Sequence, residues 1–228
     1  MLNLVYSHSE YFDVLEIFLE QWDSLFNQNI IICADKHYKE RKTIIYDDKL
    51  SYSEKLFFCI NSINSETIFF HHEDMFLYST PNISLLNKYE EILLNSPKDF
   101  VRLTKAPGHC AFASSNLHEN LFNIPEDCEY IFSVQPSIWK TRSMKKFLSS
   151  AEKLNLWQLE ENSPTINKSV NLSGLCHFNK EPKRGNHYDS SVWPYIASAT
   201  IKGKWNFSEY EIELNKIKKI SKNKRNKI

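Results

Sequence analysis

The chain has 228 residues, 42% of them apolar, and its 28 Lys plus Arg balance 28 Asp plus Glu. That is enough for one α/β domain with a sizeable core, and the balance excludes a chain that binds nucleic acid generically. Five widely spaced cysteines without a CxxC pair argue against a disulfide framework or a structural zinc site and fit a reduced compartment. Met1 to Tyr6 lacks the basic and apolar regions of a signal peptide. No run reaches the roughly 18–20 apolar residues of a membrane span, so a soluble, cytoplasmic protein is expected.

Leu2 to Tyr6 reads as a first strand that ends in the polar turn Ser7, His8, Ser9. Tyr11, Leu15, Phe18, Leu19, Trp22 and Phe26 then recur at helical spacing. Asn29 to Cys33 reads as a buried strand and Thr43 to Tyr46 as a short one. Ser51 and Glu54 form a capping box before the apolar positions Leu56, Phe57, Ile60 and Ile63. A strand follows from Thr67 to Phe70, then a helix from Ile83 to Leu94 and a strand from Phe100 to Thr104. Lys105 to Asp127 reads as irregular and carries Pro107, Gly108 and Pro125. Tyr130 to Val134 reads as a strand that turns through Gln135, Pro136 and Ser137 into a helix containing Trp139, Met144, Phe147 and Leu148. A helical stretch from Ser150 to Leu159 ends in Glu160 and Glu161, and from Asn162 onward the sequence is polar and loop-like. Alternating β and α elements predict a mostly parallel central sheet flanked by helices, a Rossmann-like α/β domain over residues 1–210. Only 4 glycines occur and no GxGxxG or P-loop is present, which weighs against a dinucleotide-binding domain or an NTPase.

Four groups of residues carry candidate chemistry. The strand from Thr67 stops at His71, His72, Glu73 and Asp74 before apolar residues resume. A strand that ends in carboxylates delivers charge to the edge where open α/β sheets bind ligands, and a divalent cation is a suitable partner for such a pair. Otherwise Glu73 and Asp74 would cap the next turn or pair with Lys88 or Arg102. Glu160 and Glu161 follow Trp157. Desolvation beside a packed Trp would raise a carboxyl pKa and make a general base, whereas a solvated pair at a helix end would have no such role. Tyr6, Ser7, His8 and Tyr11 lie where a nucleotide base would sit, with Ser51 on the far side. The simpler alternative is a core tyrosine and a helix cap. Lys183, Arg184, His187 and Tyr188 form a basic loop able to clamp phosphates, with His187 as a possible metal ligand. His37, His109, His118 and His177 lack metal-ligand spacing and read as surface or satisfied core residues.

From about Val5 to Trp205 the chain resembles bacterial and viral glycosyltransferases of the GT-A type. Three segments carry the resemblance: Phe69 to Leu77 with its Glu73-Asp74 pair, Phe132 to Lys140 with Gln135, Ser137 and Trp139, and Asn155 to Glu160 with Trp157. It implies a hexosyltransferase-like enzyme using a nucleoside diphosphate sugar, such as a UDP-sugar, and a glycan acceptor in surface polysaccharide synthesis. Tyr6, Ser7, His8, Tyr11, Ser51, His72, Glu73, Lys183, Arg184 and His187 would bind the donor. Asp74 and His187 would hold Mn²⁺ or Mg²⁺, Gln135, Ser137, Trp139 and Trp157 would meet the acceptor, and Glu160 or Glu161 would be the base of an inverting transfer. His72 stands where the Asp-x-Asp motif has its first Asp, which implies a weak metal dependence resting on Asp74.

Two alternatives remain at this stage. A metal-dependent hydrolase would use His71, His72, Asp74 and His187, although adjacent strand residues face opposite ways. A non-catalytic carbohydrate-binding module fits the 14% aromatic content but not the βα alternation. Seven basic and no acidic residues from Lys216 to Ile228 mark residues 211–228 as a basic tail. It reads as solvated or frayed, with weak contact to an anionic membrane surface as the functional alternative.

Overall fold

The largely apolar run at the start of the chain forms the third strand in the order of a nine-stranded sheet. The computed structural model describes residues 1–26, 29–105, 112–217, 219–220 and 224–227. Strands β1 (Leu2–Tyr6), β2 (Ile30–Ala34), β3 (Thr43–Ile45) and β4 (Thr67–His72) are joined by helices α1 (Phe12–Leu25) and α2 (Tyr52–Asn61). Helix α3 (Ile83–Leu94) leads to β5 (Phe100–Arg102), β6 (Ala113–Ser114), β7 (Leu121–Ile124) and β8 (Ser137–Lys140). Helices α4 (Thr141–Ser149), α5 (Leu156–Glu161) and α6 (Ser163–Val170) precede β9 (Gly174–His177). Two small hairpins, β10 (Lys183–Arg184) with β11 (His187–Tyr188) and β12 (Thr200–Ile201) with β13 (Lys204–Trp205), lead to α7 (Phe207–Lys216).

The large sheet has the order β3-β2-β1-β4-β8-β5-β9-β7-β6. β1 pairs in parallel with β2 and β4, β2 with β3, and β5 with β9. Among the described strands of this sheet, β8 and β7 run against the other seven. The fold is therefore the mixed α/β architecture with a mostly parallel sheet that the alternation of elements predicts.

The register fixes one rim. Tyr6 pairs with His72, Phe70 with Ser137, Ser137 with Arg102, Arg102 with Cys176, and His177 with Leu121. The C-terminal ends of β1, β4, β5 and β9 and the N-terminal ends of β8 and β7 thus share one edge of the sheet.

The first four strands match the sequence pattern because β2 and the first five residues of β4 are fully buried and α2 carries its own start signal. The Ser51–Glu54 capping box is present, with the Ser51 side chain accepting from the Glu54 N–H and the Glu54 carboxylate accepting from the Ser51 N–H. Cys33 and Cys59 are both buried, as expected of core residues.

Beyond residue 100 the structure departs from the sequence reading. Residues 130–134 form no strand. Their backbone is committed elsewhere: Tyr130 has a left-handed φ of 57°, and the Arg102 guanidinium donates to the Tyr130 and Ile131 carbonyls at 2.6 and 2.9 Å. Pairing begins only after Pro136, whose carbonyl accepts from Leu103 N–H at 2.9 Å, so Ser137 to Lys140 is strand and the helix starts at Thr141. The helical stretch expected from Ser150 shrinks to α5, because Asn155 caps a new helix with Gln158. The region read as loop after Asn162 contains α6, with Pro in its first turn, and the buried strand β9. Gly174 in β9 sits under the Phe100 ring, where an added Cβ would come within 2.1 Å of the ring. Pro107, Gly108, His109 and Cys110 lie outside the described residues.

Candidate active site

β4 ends at His72 on the shared rim, and Met75 N–H donates to the His72 carbonyl at 3.3 Å to turn the chain. His71 and His72 face opposite ways, as a strand requires. His71 is buried among Phe18, Trp22, Phe69 and Trp193, and neither ring nitrogen has a partner. Burial pushes its pKa down to about 3, so it is a neutral core ring. His72 stacks on Tyr6 with centroids 5.3 Å apart and meets the Tyr52 hydroxyl at 2.8 Å. Burial holds its pKa at about 3 as well. The two histidines cannot share an ion, which removes the geometry of the hydrolase alternative.

Asp74 and Glu73 occupy the turn after β4. Asp74 is half-buried, and its Oδ2 accepts from the Thr200 N–H and hydroxyl, both at 3.2 Å. Burial raises its pKa to about 6, outweighing the hydrogen bonds from Thr200. Glu73 is buried, with its pKa pushed well above the carboxylate range by burial and then by the neighbouring Asp74 charge. Its Oε2 has no hydrogen-bond partner. Neither acid pairs with Lys88, which holds Glu91, nor with Arg102, which holds backbone carbonyls. A positive charge acts on Glu73 from Arg225, which also lies over the Tyr11 ring with its Cζ 4.6 Å from the centroid. Arg225 donates to Asp13 at 2.6 and 2.8 Å, so this part of the basic tail is folded against α1 and is not a frayed end.

Glu160 reaches the same rim from α5. Its Oε1 accepts from Val134 N–H at 2.9 Å. Burial raises its pKa, opposed by that hydrogen bond and by the charge of Arg102. Trp157 lies three residues earlier, on the same helical face, and is 68% exposed. Glu161, the next residue, is exposed. Burial raises the pKa of the Tyr52 hydroxyl, and the charges of Glu160 and then Glu73 raise it further.

The remaining sequence candidates divide. Tyr6 is a core residue, stacked on Tyr46 with centroids 5.4 Å apart and edge-on to Tyr52 at 5.0 Å. Ser7 is buried, and its carbonyl accepts from the Tyr46 hydroxyl at 2.7 Å. His8 caps the short 3-10 turn before α1 by accepting from Glu10 N–H at 3.2 Å. Ser51 is held in its capping box. Gln135 accepts from the buried Tyr195 hydroxyl, and Ser137 accepts from Trp139 Nε1 at 2.9 Å. Trp139 itself is 1% exposed and stacked on Phe100, so it packs the sheet and presents no open face to a ligand. Arg184 is engaged with Glu213 and Asp189, and Lys183 is exposed. His187 has Glu209 as its charged neighbour, and its buried Nδ1 has no partner. Among the described residues, it joins no group of three or more side chains able to hold a metal ion.

Sequence reasoning placed Tyr52 beside Ser51 on the far side of the nucleotide site and read Arg102 only as a possible partner of the acids; it missed Thr200 and Arg225. Tyr52 was legible as the residue after the capping Ser51. Thr200 and Arg225 arrive from 126 and 212 residues away along the chain from Asp74 and Asp13, so no local pattern marks them.

No family model matches the sequence, and no curated protein does. Among solved structures the chain is similar to Staphylococcus aureus TarS 1–349, with a TM-score of 0.53 at 10% identity over 98% of this chain and 66% of that one. It is also similar to the mannosyltransferase PcManGT from Pyrobaculum calidifontis in complex with GDP-Man and Mn²⁺, with a TM-score of 0.48 at 10% identity over 81% and 58%. The bifunctional IspDF from Campylobacter jejuni gives a TM-score of 0.47 at 14% identity over 79% and 50%. This chain thus spans about half to two thirds of each of the three. At such identities the likeness is one of fold, and the TarS similarity carries it: this is a GT-A-like α/β domain.

Proposed function

We propose that this protein is a glycosyltransferase that moves a sugar from a nucleoside diphosphate sugar to a glycan acceptor, with inversion. One observation carries the reading. At the ligand-binding edge of the sheet, Glu73 and Asp74 sit side by side without an ion-pair partner among the described residues. Both pKa values are raised and one buried oxygen is unsatisfied. A buried acid pair of this kind needs a cation or a proton.

Among the described residues, no three His, Cys, Asp or Glu side chains converge on a metal site. Asp74, with Glu73 beside it, suits a hard divalent cation whose other ligands are phosphate oxygens and water. Mn²⁺ or Mg²⁺ held there would stabilise charge on the departing diphosphate. Glu160 is the base: its carboxylate takes the acceptor hydroxyl proton as that oxygen bonds to the anomeric carbon and the bond from carbon to phosphate oxygen breaks. Trp157 offers its exposed face to an acceptor sugar ring. Tyr6, Tyr46, Tyr52 and His72 form the aromatic wall behind the donor. His72 is neutral and hydrogen-bonded to Tyr52, so it contributes no charge to the cation, and metal binding rests on Asp74.

The test is hydrolysis and transfer across UDP-, GDP- and dTDP-sugars with Mn²⁺, together with thermal shift by the nucleoside diphosphates. At least one nucleotide should raise Tm in a Mn²⁺-dependent way. No turnover and no shift by any of them would overturn the proposal.

A further inference from the structure

A cavity opens on the same rim at the far side of the sheet, where β9 ends and β7 begins. It has a volume of about 360 Å³, within the roughly 300–1,000 Å³ range of small-ligand pockets. Phe122 and Phe178 line it, with ring centroids 6.1 Å apart, and Asn120 and Asn179 supply amide groups. Lys105 enters from the end of the segment after β5. Its Nζ lies 4.6 Å from the Phe178 ring centroid, 5.1 Å from Tyr188 and 5.5 Å from Phe112. Three rings therefore hold one ammonium group in place. Glu119 also lines the cavity, but among the described residues no carboxylate comes within ion-pair distance of Lys105 or Lys180, so the lining sets two ammonium groups against one carboxylate.

An ammonium fixed by aromatic faces and left without an anion is a preorganised charge that awaits one. Ring faces beside amides suit a sugar, whose C–H surface lies on an aromatic ring while its hydroxyls bond to amide groups. We propose that this cavity binds an acidic sugar unit, one bearing a carboxylate or a phosphate, with the negative group on Lys105 and the sugar ring against Phe178 and Phe122. The strand order β4-β8-β5-β9 places it three strand spacings from the Glu73–Asp74 turn, about 14 Å at roughly 4.8 Å per step. An oligosaccharide spans that distance, so the acidic unit belongs to the acceptor. That last assignment rests on the glycosyltransferase reading, whereas the preference for an acidic sugar does not. The Thr104 hydroxyl donates to the Tyr188 carbonyl at 2.8 Å, which locks the β10–β11 hairpin against this cavity.

The experiment is a ligand-observed NMR titration of the full chain with glucuronic acid, glucose 6-phosphate and neutral glucose. At least one of the two acids should bind about tenfold tighter than glucose, and which one does distinguishes carboxylate from phosphate. Lys105→Gln should abolish that preference, Lys105→Arg should keep it, and both variants should retain any thermal shift by nucleoside diphosphate. Equal binding of all three sugars, no binding of either acid, or a preference that survives Lys105→Gln would overturn the proposal. If the wild-type chain binds no nucleoside diphosphate, the link to an acceptor falls with the transferase reading, and the sugar titration still decides the acidic preference.

Discussion

The two halves of the sheet are built differently, and the difference separates what each contributes. On one side, β3, β2, β1 and β4 run parallel, and Glu73 and Asp74 follow the last of them. On the other side, β8 and β7 reverse direction, β6 has only two residues, and the groups reaching the rim come from helix α5 and from loops. The parallel half offers a fixed edge suited to a constant ligand such as a diphosphate. The mixed half offers loops and short strands that can be reshaped around a variable acceptor. On the glycosyltransferase proposal, the parallel half should then govern nucleotide binding and the mixed half should govern transfer.

Substitutions on either side test that division. Glu160→Gln should lower transfer by about 1,000-fold while leaving nucleotide binding unchanged, because general-base catalysis is lost and no donor contact is removed. Loss of nucleotide affinity in that variant would break the division. Asp74→Asn should lower turnover by about 100-fold and also remove the Mn²⁺ dependence of the nucleotide thermal shift. Tyr52→Phe removes the part-buried hydrogen bond to His72 and should cost about 1 kcal/mol, read by denaturant unfolding. Trp157→Ala should weaken acceptor binding by about 1 kcal/mol, read as a raised acceptor KM, with Tm unchanged because the side chain is exposed.

A pH series sharpens the same comparison. The folded Asp74 titrates at about 6, above its ordinary value of 3.8. The folded protein therefore holds the extra proton between those values. The Asp74 contribution to stability is full below pH 3.8 and is lost as pH rises through 6. Cation binding needs the carboxylate and runs the other way, tightening as pH rises through 6. Thermal melts with and without Mn²⁺ at pH 5 and at about pH 7.5 should show a metal-dependent gain in Tm that is larger at the higher pH.

The parallel half was legible because each element carries its own signal. The β-branched run of β4 stops at charged residues, Ser51 and Glu54 announce α2, and α3 spans the residues its periodicity predicts. In the other half, long-range partners override local pattern. Arg102 takes the carbonyls that would have made residues 130–134 a strand, and β9 reads as loop because a four-residue buried strand has no periodicity to detect. The same holds for the candidate site. Glu73, Asp74 and Glu160 stand out as acids next to apolar runs, whereas Thr200 reaches Asp74 through tertiary folding alone. Trp139 was an acceptor residue only through the resemblance of its segment, and a motif match does not say whether a Trp faces a cleft or a core.

The clasp between Arg225 and Asp13 joins positions 212 apart in the chain, and Trp205 N–H donates to the Asn226 carbonyl at 2.8 Å beside it. The entropy of closing so long a loop grows only logarithmically with its length, so the clasp forms cheaply once the sheet is in place and can open without unfolding it. Amide exchange at Trp205 is therefore a local clock for that opening, separate from the slow exchange of β1 and β4. A molecule that settles next to Glu73 and Tyr11 should slow this clock before it changes the melting of the whole domain.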